Sequence, residues 1–534
     1  MKRFLWKHCS VALLLAAGVV SHAQPFQPVV KVWDSQVYGT TTANGNTTIP
    51  QRFLGAFIDP SANVIIVLGR DPQAFGHGTI FKYSSAGSLL WTATVSVNGD
   101  PLSFFLGADG SFCLGGPAVV PDPLPGAPGH TATGAFINRY TSDGTLAWSK
   151  QIKGGIVNPA VHLSCDAQGN VWVARAIQEN LVASYLALAK YGPSGNLLFS
   201  KQLPMHPTSN SQGGLDLSML PGNNPVVLTA NGVVGSLSIV ATKYLASGST
   251  DWARPLTVGR VDWLGESRLG ATAFTLKPLC PSPDGSLYVG TSSGDLVHVS
   301  PTGERIWGVV SPDQNALVND YATDAEGNLL ALEPQKLVKY SAAKGIVLSS
   351  LPIQPPWLIG NALAVDVGGN SYYASDPGMN GASVDLFKLS GHGQVWKTSY
   401  PTGDEGSEAF AVFQNHTDLY EVIGRWSGQT NFSVNLVKYK QAIKAVDDAY
   451  KTPMNTNLTV SGAGGLQAND VNAEGSRCSL VAGPQHGALS LGANGSIIYK
   501  PRAGFSGSDH FTYIDKLDTL QSNEATVTVT VGAA

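Results

Sequence analysis

The chain has 534 residues, with 33 Lys or Arg against 37 Asp or Glu, a net charge of −4. Only 13% of residues are charged, against roughly 25% in an average soluble domain, and no basic block occurs, so nucleic-acid and anionic-membrane binding have no electrostatic footprint. A hydrophobic fraction of 43% excludes disorder, and 60 Gly with 32 Pro point to many turns between short strands.

Met1-Lys2-Arg3 and Lys7 precede an apolar run from Val11 to Val20 and then Ser21-His22-Ala23. A positive start, a short apolar stretch and a small-x-small exit make a secretory signal peptide, with the cut placed after Ala23. The run is too short to span a bilayer, which takes about 20 apolar residues. Cys9 lies ahead of the run, the wrong side for a lipid anchor. The mature chain is therefore expected to be secreted or at the cell surface, without a transmembrane segment. Cys113, Cys165, Cys280 and Cys478 are far apart and lack C-x-x-C spacing, which argues against zinc. Cys113 and Cys165 sit in successive repeats: they either pair after export or serve as small buried hydrophobes.

The middle of the chain is repetitive. One unit reads Asp, two residues, Gly-Asn, an alternating apolar strand, a variable loop, Lys-Tyr, a short Gly turn, and Trp. Asp59 to Gly69 opens the first copy, and Lys82-Tyr83, Gly87 and Trp91 close it. Later copies carry Asp109, Arg139-Tyr140 and Trp148; Asp166, Lys190-Tyr191 and Phe199; Lys243-Tyr244 and Trp252; Asp284, His298 and Trp307; Asp324 and Lys339-Tyr340; Asp366, Lys388 and Trp396. A half copy has Asp418 and Lys438-Tyr439 but no closing Trp strand, whereas Val29 to Trp33 reads as a closing strand with no beginning. A ring resolves both halves, because the first strand completes the last unit and no sheet edge stays open. Asp-x-x-Gly-Asn is turn chemistry: Asp and Asn bond nearby backbone and Gly takes positive φ. The recurring Trp is expected to pack between neighbouring units rather than stack on a ligand.

These units resemble bacterial propeller repeats of the SBBP type, D-x-x-G-N-x-Y-V-x-G … K-Y-x-x-x-G-x-x-x-W, over roughly Val29 to Lys440. The resemblance implies an extracellular or cell-surface propeller with no shared catalytic residue. Such propellers usually have seven blades. Seven full units plus one split unit give eight here, with seven kept open because the fourth unit starts poorly.

From Ala445 the texture changes. Turn signals recur about every ten residues between alternating strands, which indicates a β-sandwich. Ala445-Val446-Asp447-Asp448-Ala449-Tyr450, Leu466-Gln467-Ala468-Asn469-Asp470, Gly483-Pro484-Gln485-His486-Gly487 and Phe505-Ser506-Gly507-Ser508-Asp509-His510-Phe511 follow in order. This segment resembles the cadherin-like bacterial Ig repeat of large adhesins, a spacer or adhesive unit that in some cases binds calcium. By motif position Asp447, Asp448, Asn469 and Asp470 are the candidate calcium ligands, since the ion needs several hard oxygens in one place. Val471 to Gly475 lacks the further Asp residues of that pattern, and turn capping competes with metal binding for these four.

No H-E-x-x-H or P-loop occurs. Gly290-Thr291-Ser292-Ser293-Gly294 matches G-x-S-x-G, but a nucleophile elbow needs a helix next and Leu296 to Val299 reads as strand. The Gly-x-x-x-Trp spacing invites comparison with quinone-dependent dehydrogenases, yet their vicinal cysteine pair is missing. His77, His130, His162 and His298 are scattered.

The sequence thus predicts an all-β chain: a signal peptide over 1–23, a β-propeller over 24–440 closed by the N-terminal strand, and an Ig-like β-sandwich over 441–534. The expected role is a non-catalytic binding or adhesion scaffold facing an extracellular protein or glycan surface. Its contacts are expected from loops such as Gly115 to Gly134 and Pro204 to Gly214. A hydrolase or lyase acting on polysaccharide is the alternative, and a structural surface protein without a small ligand the third reading.

Overall fold

A computed structural model describes residues 29–39, 52–69, 78–95, 103–107, 109–120, 132–152, 161–178, 184–203, 215–233, 236–256, 279–290, 296–309, 320–333, 335–353, 363–366, 368–375, 383–391, 393–402, 406–415, 418–427, 431–517 and 519–532. The expected signal peptide lies outside them. Among the described residues all regular structure is β apart from two 3-10 turns, Gly462–Gly464 and Leu466–Ala468. No described helix is long and apolar enough to cross a membrane.

Seven four-stranded antiparallel sheets follow in chain order, numbered I to VII here by their first strands: Arg52–Ile58, Ser103–Leu106, Val161–Cys165, Leu215–Leu220, Leu279–Pro281, Asp320–Thr323 and Leu363–Val365. Within each, every strand pairs with the next in sequence. Sheet VIII differs. Its first three strands are Gly406–Asn415, Asp418–Ser427 and Asn431–Gln441, and its fourth is Val29–Gly39 from the other end of the chain. That strand runs antiparallel to Asn431–Gln441, with Val29 opposite Gln441, Trp33 opposite Lys438 and Gly39 opposite Ser433.

The sheets are buried on both faces toward their middle strands and wet on their last. Val64, Ile65, Ile66, Val67 and Leu68 have no exposed surface, whereas Leu89–Thr94 alternates between exposed and half-buried. β-branched strands suit such two-sided burial. Each consecutive pair of sheets shares a buried apolar cluster. Another joins Tyr420, Val422, Val434 and Leu436 of sheet VIII to Val64, Ile66 and Leu68 of sheet I.

The repeat residues fasten these joints. Asp166 accepts from the backbone N–H and side-chain amide of Asn170, as the turn chemistry requires, and from Lys190 Nζ at 3.1 Å. Burial alone would raise its carboxyl; the bonds from Asn170, Lys190 and Trp172 hold it below the usual carboxylate value. Asp59–Lys82, Asp324–Lys339 and Asp418–Lys438 repeat the pair. Six closing aromatics lie on the turn glycine of the next sheet: Trp33 on Gly87, Trp91 on Gly144, Trp148 on Gly195, Phe199 on Gly248, Trp252 on Gly303 and Trp307 on Gly345. The regular Trp is therefore a packing residue between sheets.

The C-terminal segment is a two-sheet sandwich. One sheet holds Asp448–Pro453, Ala525–Gly532, Gly507–Leu517 and Arg477–Ala482, the other Leu458–Val460, Ile497–Pro501 and Gly487–Leu491. The first strand pairs parallel with the last, Asp448 opposite Val527. In that last strand Val527, Val529 and Val531 face the core with Tyr499, Phe511 and Tyr513, while Thr526 and Thr530 are exposed, the two-residue period of a one-sided strand.

One expectation needs correction. The loop read over Gly115 to Gly134 is shorter, because Phe112–Val120 and Ala132–Tyr140 are paired strands and Pro117 sits opposite Ala135. Gly115, taken as a loop marker, is a strand residue whose added Cβ would lie 2.7 Å from Leu163 Cδ1. The space between sheets II and III requires glycine there.

Candidate binding and metal-ligating residues

Of the four residues nominated for calcium, Asp448 and Asp470 meet at the Tyr513 hydroxyl, while Asp447 and Asn469 bond Thr526 and each other. Asp448 opens its strand, and Asn469 and Asp470 follow the turn Leu466–Ala468. The Tyr513 hydroxyl lies 3.2 Å from Asp448 Oδ2, 3.0 Å from both oxygens of Asp470 and 3.0 Å from the carbonyl of Leu466. One phenolic proton cannot serve all these acceptors. Burial pushes the Asp448 carboxyl up to about 6. Burial, with the neighbouring Asp515 carboxyl adding to it, pushes Asp470 up to about 8. Asp470 therefore carries a proton of its own at neutral pH.

Asp447 and Asp470 also accept from backbone donors. Asp447 Oδ1 accepts the Thr526 N–H at 2.7 Å, Asp470 Oδ1 accepts the Val446 N–H at 2.6 Å, and Asn469 Nδ2 donates to the Asp447 carbonyl at 3.2 Å. Asp515, which the sequence reading passed over, has no exposed surface; its Oδ1 accepts from Gln467 Nε2 at 2.8 Å and, among the described residues, its Oδ2 has no hydrogen-bond donor. Among the described residues no three His, Cys, Asp or Glu side chains form a group that could hold a metal ion. As arranged, Asp447 and Asp470 accept backbone N–H groups at Thr526 and Val446, and Asn469 donates to the Asp447 carbonyl.

The histidines and cysteines separate by environment. His298 takes the place of the repeat's Lys: it is 2% exposed, stacks on Tyr288 with centroids 4.1 Å apart, and bonds Ser286 Oγ and the Ala342 carbonyl. Burial lowers its pKa, so it is a neutral structural ring. His162, on the first strand of sheet III, is half-buried and sets Nδ1 3.2 Å from Asp216 Oδ1 on the first strand of sheet IV. Spacing gave no sign of that pair, since it is made by adjacent sheets. His77, His130, the turn 291–295 and the loop 204–214 lie outside the described residues. Cys113 and Cys165 are buried thiols with their sulfurs 3.8 Å apart, and among the described residues no disulfide joins any of the four cysteines.

Residues 440–533 match the family model of the bacterial cadherin-like domain. No curated protein matches the chain. Among solved structures, virginiamycin B lyase from Staphylococcus aureus, bound to quinupristin, is similar at 11% identity, covering 76% of this chain and 99% of that one, with a TM-score of 0.38. BamB from Moraxella catarrhalis is 12% identical over 76% of this chain and 97% of its own, with a TM-score of 0.37. The Dos1 propeller is 10% identical over 73% of this chain and 94% of its own, with a TM-score of 0.43. None overlaps closely enough to speak for an activity here.

Proposed function

We propose that this chain is an exported binding or adhesion scaffold: an eight-bladed propeller, closed by the strand Val29–Gly39, that carries a cadherin-like domain. The observation that carries the reading is the cadherin-like segment at 440–533, a module suited to surface contacts. The ring is supported by the pairing of Val29–Gly39 with sheet VIII and by the apolar cluster between sheets VIII and I. SBBP-type repeats, a signal peptide over 1–23, domain limits near 440 and a partner that is an extracellular protein or glycan surface belong to the same proposal.

The test is a screen of the mature protein on glycan arrays and bacterial cell surfaces, with and without a calcium chelator. We expect saturable binding that the chelator leaves intact, because Asp447 Oδ1 and Asp470 Oδ1 already accept backbone N–H groups and Asp448 Oδ2 lies within hydrogen-bond distance of the Tyr513 hydroxyl. Loss of binding with chelator reinstates calcium at those residues, and absence of any binding contradicts the scaffold reading. One observation favours a second reading, a polysaccharide hydrolase or lyase: the His162–Asp216 pair is the arrangement in which a carboxylate orients an imidazole base. New chain ends released from a polysaccharide by the wild type but not by His162→Ala would establish it.

A further inference from the structure

Six of the sheet-to-sheet joints share one fastening. A Lys, His or Trp of one sheet donates to the carbonyl of the second residue in the last turn of the next: Lys438 and Trp33 to Ser85, Lys82 to Ser142, Trp148 to Pro193, Lys190 to Ala246, Lys243 and Trp252 to Pro301, and His298 and Trp307 to Ala342. Sheet VII carries the same donors, Lys388 and Trp396, but sheet VIII offers no such turn. Its last two strands, Asn431–Gln441 and Val29–Gly39, come from opposite ends of the described chain.

The C-terminal domain supplies the missing acceptor. Asn472 Oδ1 lies 2.6 Å from Lys388 Nζ and 3.2 Å from Trp396 Nε1. The Glu474 carboxylate stands 3.9 Å from the same ammonium, and the Glu474 carbonyl accepts from Asn370 Nδ2 at 2.9 Å. Lys388 has no exposed surface. A buried cation without acceptors is strongly unfavourable, so the loop that covers this lysine also satisfies it. Asn472 Nδ2 in turn donates to the Ala442 carbonyl at 2.8 Å, just beyond sheet VIII, and Lys444 and Val471 bond each other's backbone in both directions. Ile443, Ala473, Leu517 and Leu520 pack as an apolar cluster behind this contact.

The backbones meet closely as well. A Cβ on Gly475 would lie 2.5 Å from Gly368 Cα. Gly368 is the third residue of the Asp366–Asn370 turn, and the matching turns carry Ser61, Gln168 and Glu326 there. The bare position occurs in the turn on which the C-terminal domain rests.

We propose that residues 471–475 are a latch: they take the place of the turn absent from sheet VIII, hold the ring shut at its seam, and fix the cadherin-like domain rigidly to the propeller. The proposal rests on the ring reading above. Asn472 has φ +61, a conformation that alanine resists, so Asn472→Gly removes the side chain without backbone strain. Asn455 has the same φ and caps the Gly504 N–H within the sandwich, so Asn455→Gly is the matched control.

The experiment is hydrogen exchange of the full chain, resolved by peptide, for the wild type, Asn472→Gly, Asn472→Asp and Asn455→Gly. Loss of one hydrogen bond to a charged group predicts exchange about tenfold faster in 29–39, 383–401 and 431–441 for Asn472→Gly. Asn472→Asp, which keeps the acceptor, should stay near wild type over 383–401, and Asn455→Gly near wild type over all three. Equal behaviour of the two glycine variants in these segments overturns the latch while leaving the ring in place. A wild-type Val29–Gly39 strand that exchanges without protection overturns the ring reading and the latch with it.

Discussion

Glu421 sits in the middle of sheet VIII with no exposed surface. Its Oε2 accepts from the Tyr439 hydroxyl at 2.9 Å, and its Oε1 has no partner among the described residues. Burial raises its pKa from 4.5 to about 8, so the folded protein holds it as a neutral acid. Between those values the folded state binds a proton that the unfolded chain has released. The group's stabilisation is therefore complete below the unfolded value and is lost as pH rises through the folded one, by at most about 1.4 kcal/mol per pH unit. Glu421→Gln keeps the shape and removes the titration. Urea unfolding from pH 5 to 8 should show the wild type losing stability relative to the variant; parallel curves would show that Glu421 is ionised in the fold. Single residues of this kind were poorly legible in the sequence. Asp59, Asp166, Asp324 and Asp366 announced their turns because their partners lie within four residues. Glu421, Asp515 and the His162–Asp216 pair take their character from strands or sheets brought together only by folding.

At the scale of the element, turns were the most readable part. In sheets I to VI the Gly of the closing hairpin is needed twice over. Gly144 has φ +87, and a Cβ there would lie 2.7 Å from Trp91 Cδ2 of the preceding sheet. Gly144→Ala should cost about 1–2 kcal/mol from backbone conformation alone, with displacement of Trp91 added. Gly391→Ala, whose added Cβ meets nothing within 4 Å, is the control. Chemical denaturation should place the Gly144→Ala midpoint clearly below that of the control, and coincident midpoints would remove the Trp–Gly contact from the account. The strand Phe112–Val120 was misread for the converse reason. Gly115-Gly116-Pro117 carries local loop propensity, and its pairing opposite Phe136 and Ile137 overrides it.

At the scale of the whole molecule, the repeat count and the two unmatched halves were enough to suggest a circle, because a sheet with one bare edge and a loose strand elsewhere satisfy each other. The joint between propeller and sandwich was not legible. Asn472 and Glu474 read as an acidic motif that had lost its charge, and their role depends on Lys388 and Trp396, 84 and 76 positions away. The central claim is that the first described strand closes the ring. It is tested most directly by treating the monomer with an amine-reactive cross-linker whose spacer is long enough to pass round the edge strand and mapping the products by mass spectrometry. Lys31 and Lys440 are both exposed and lie one residue apart in the register of the closing pair. The account predicts a Lys31–Lys440 link within one chain. Both amines modified singly, with no link between them, would contradict it.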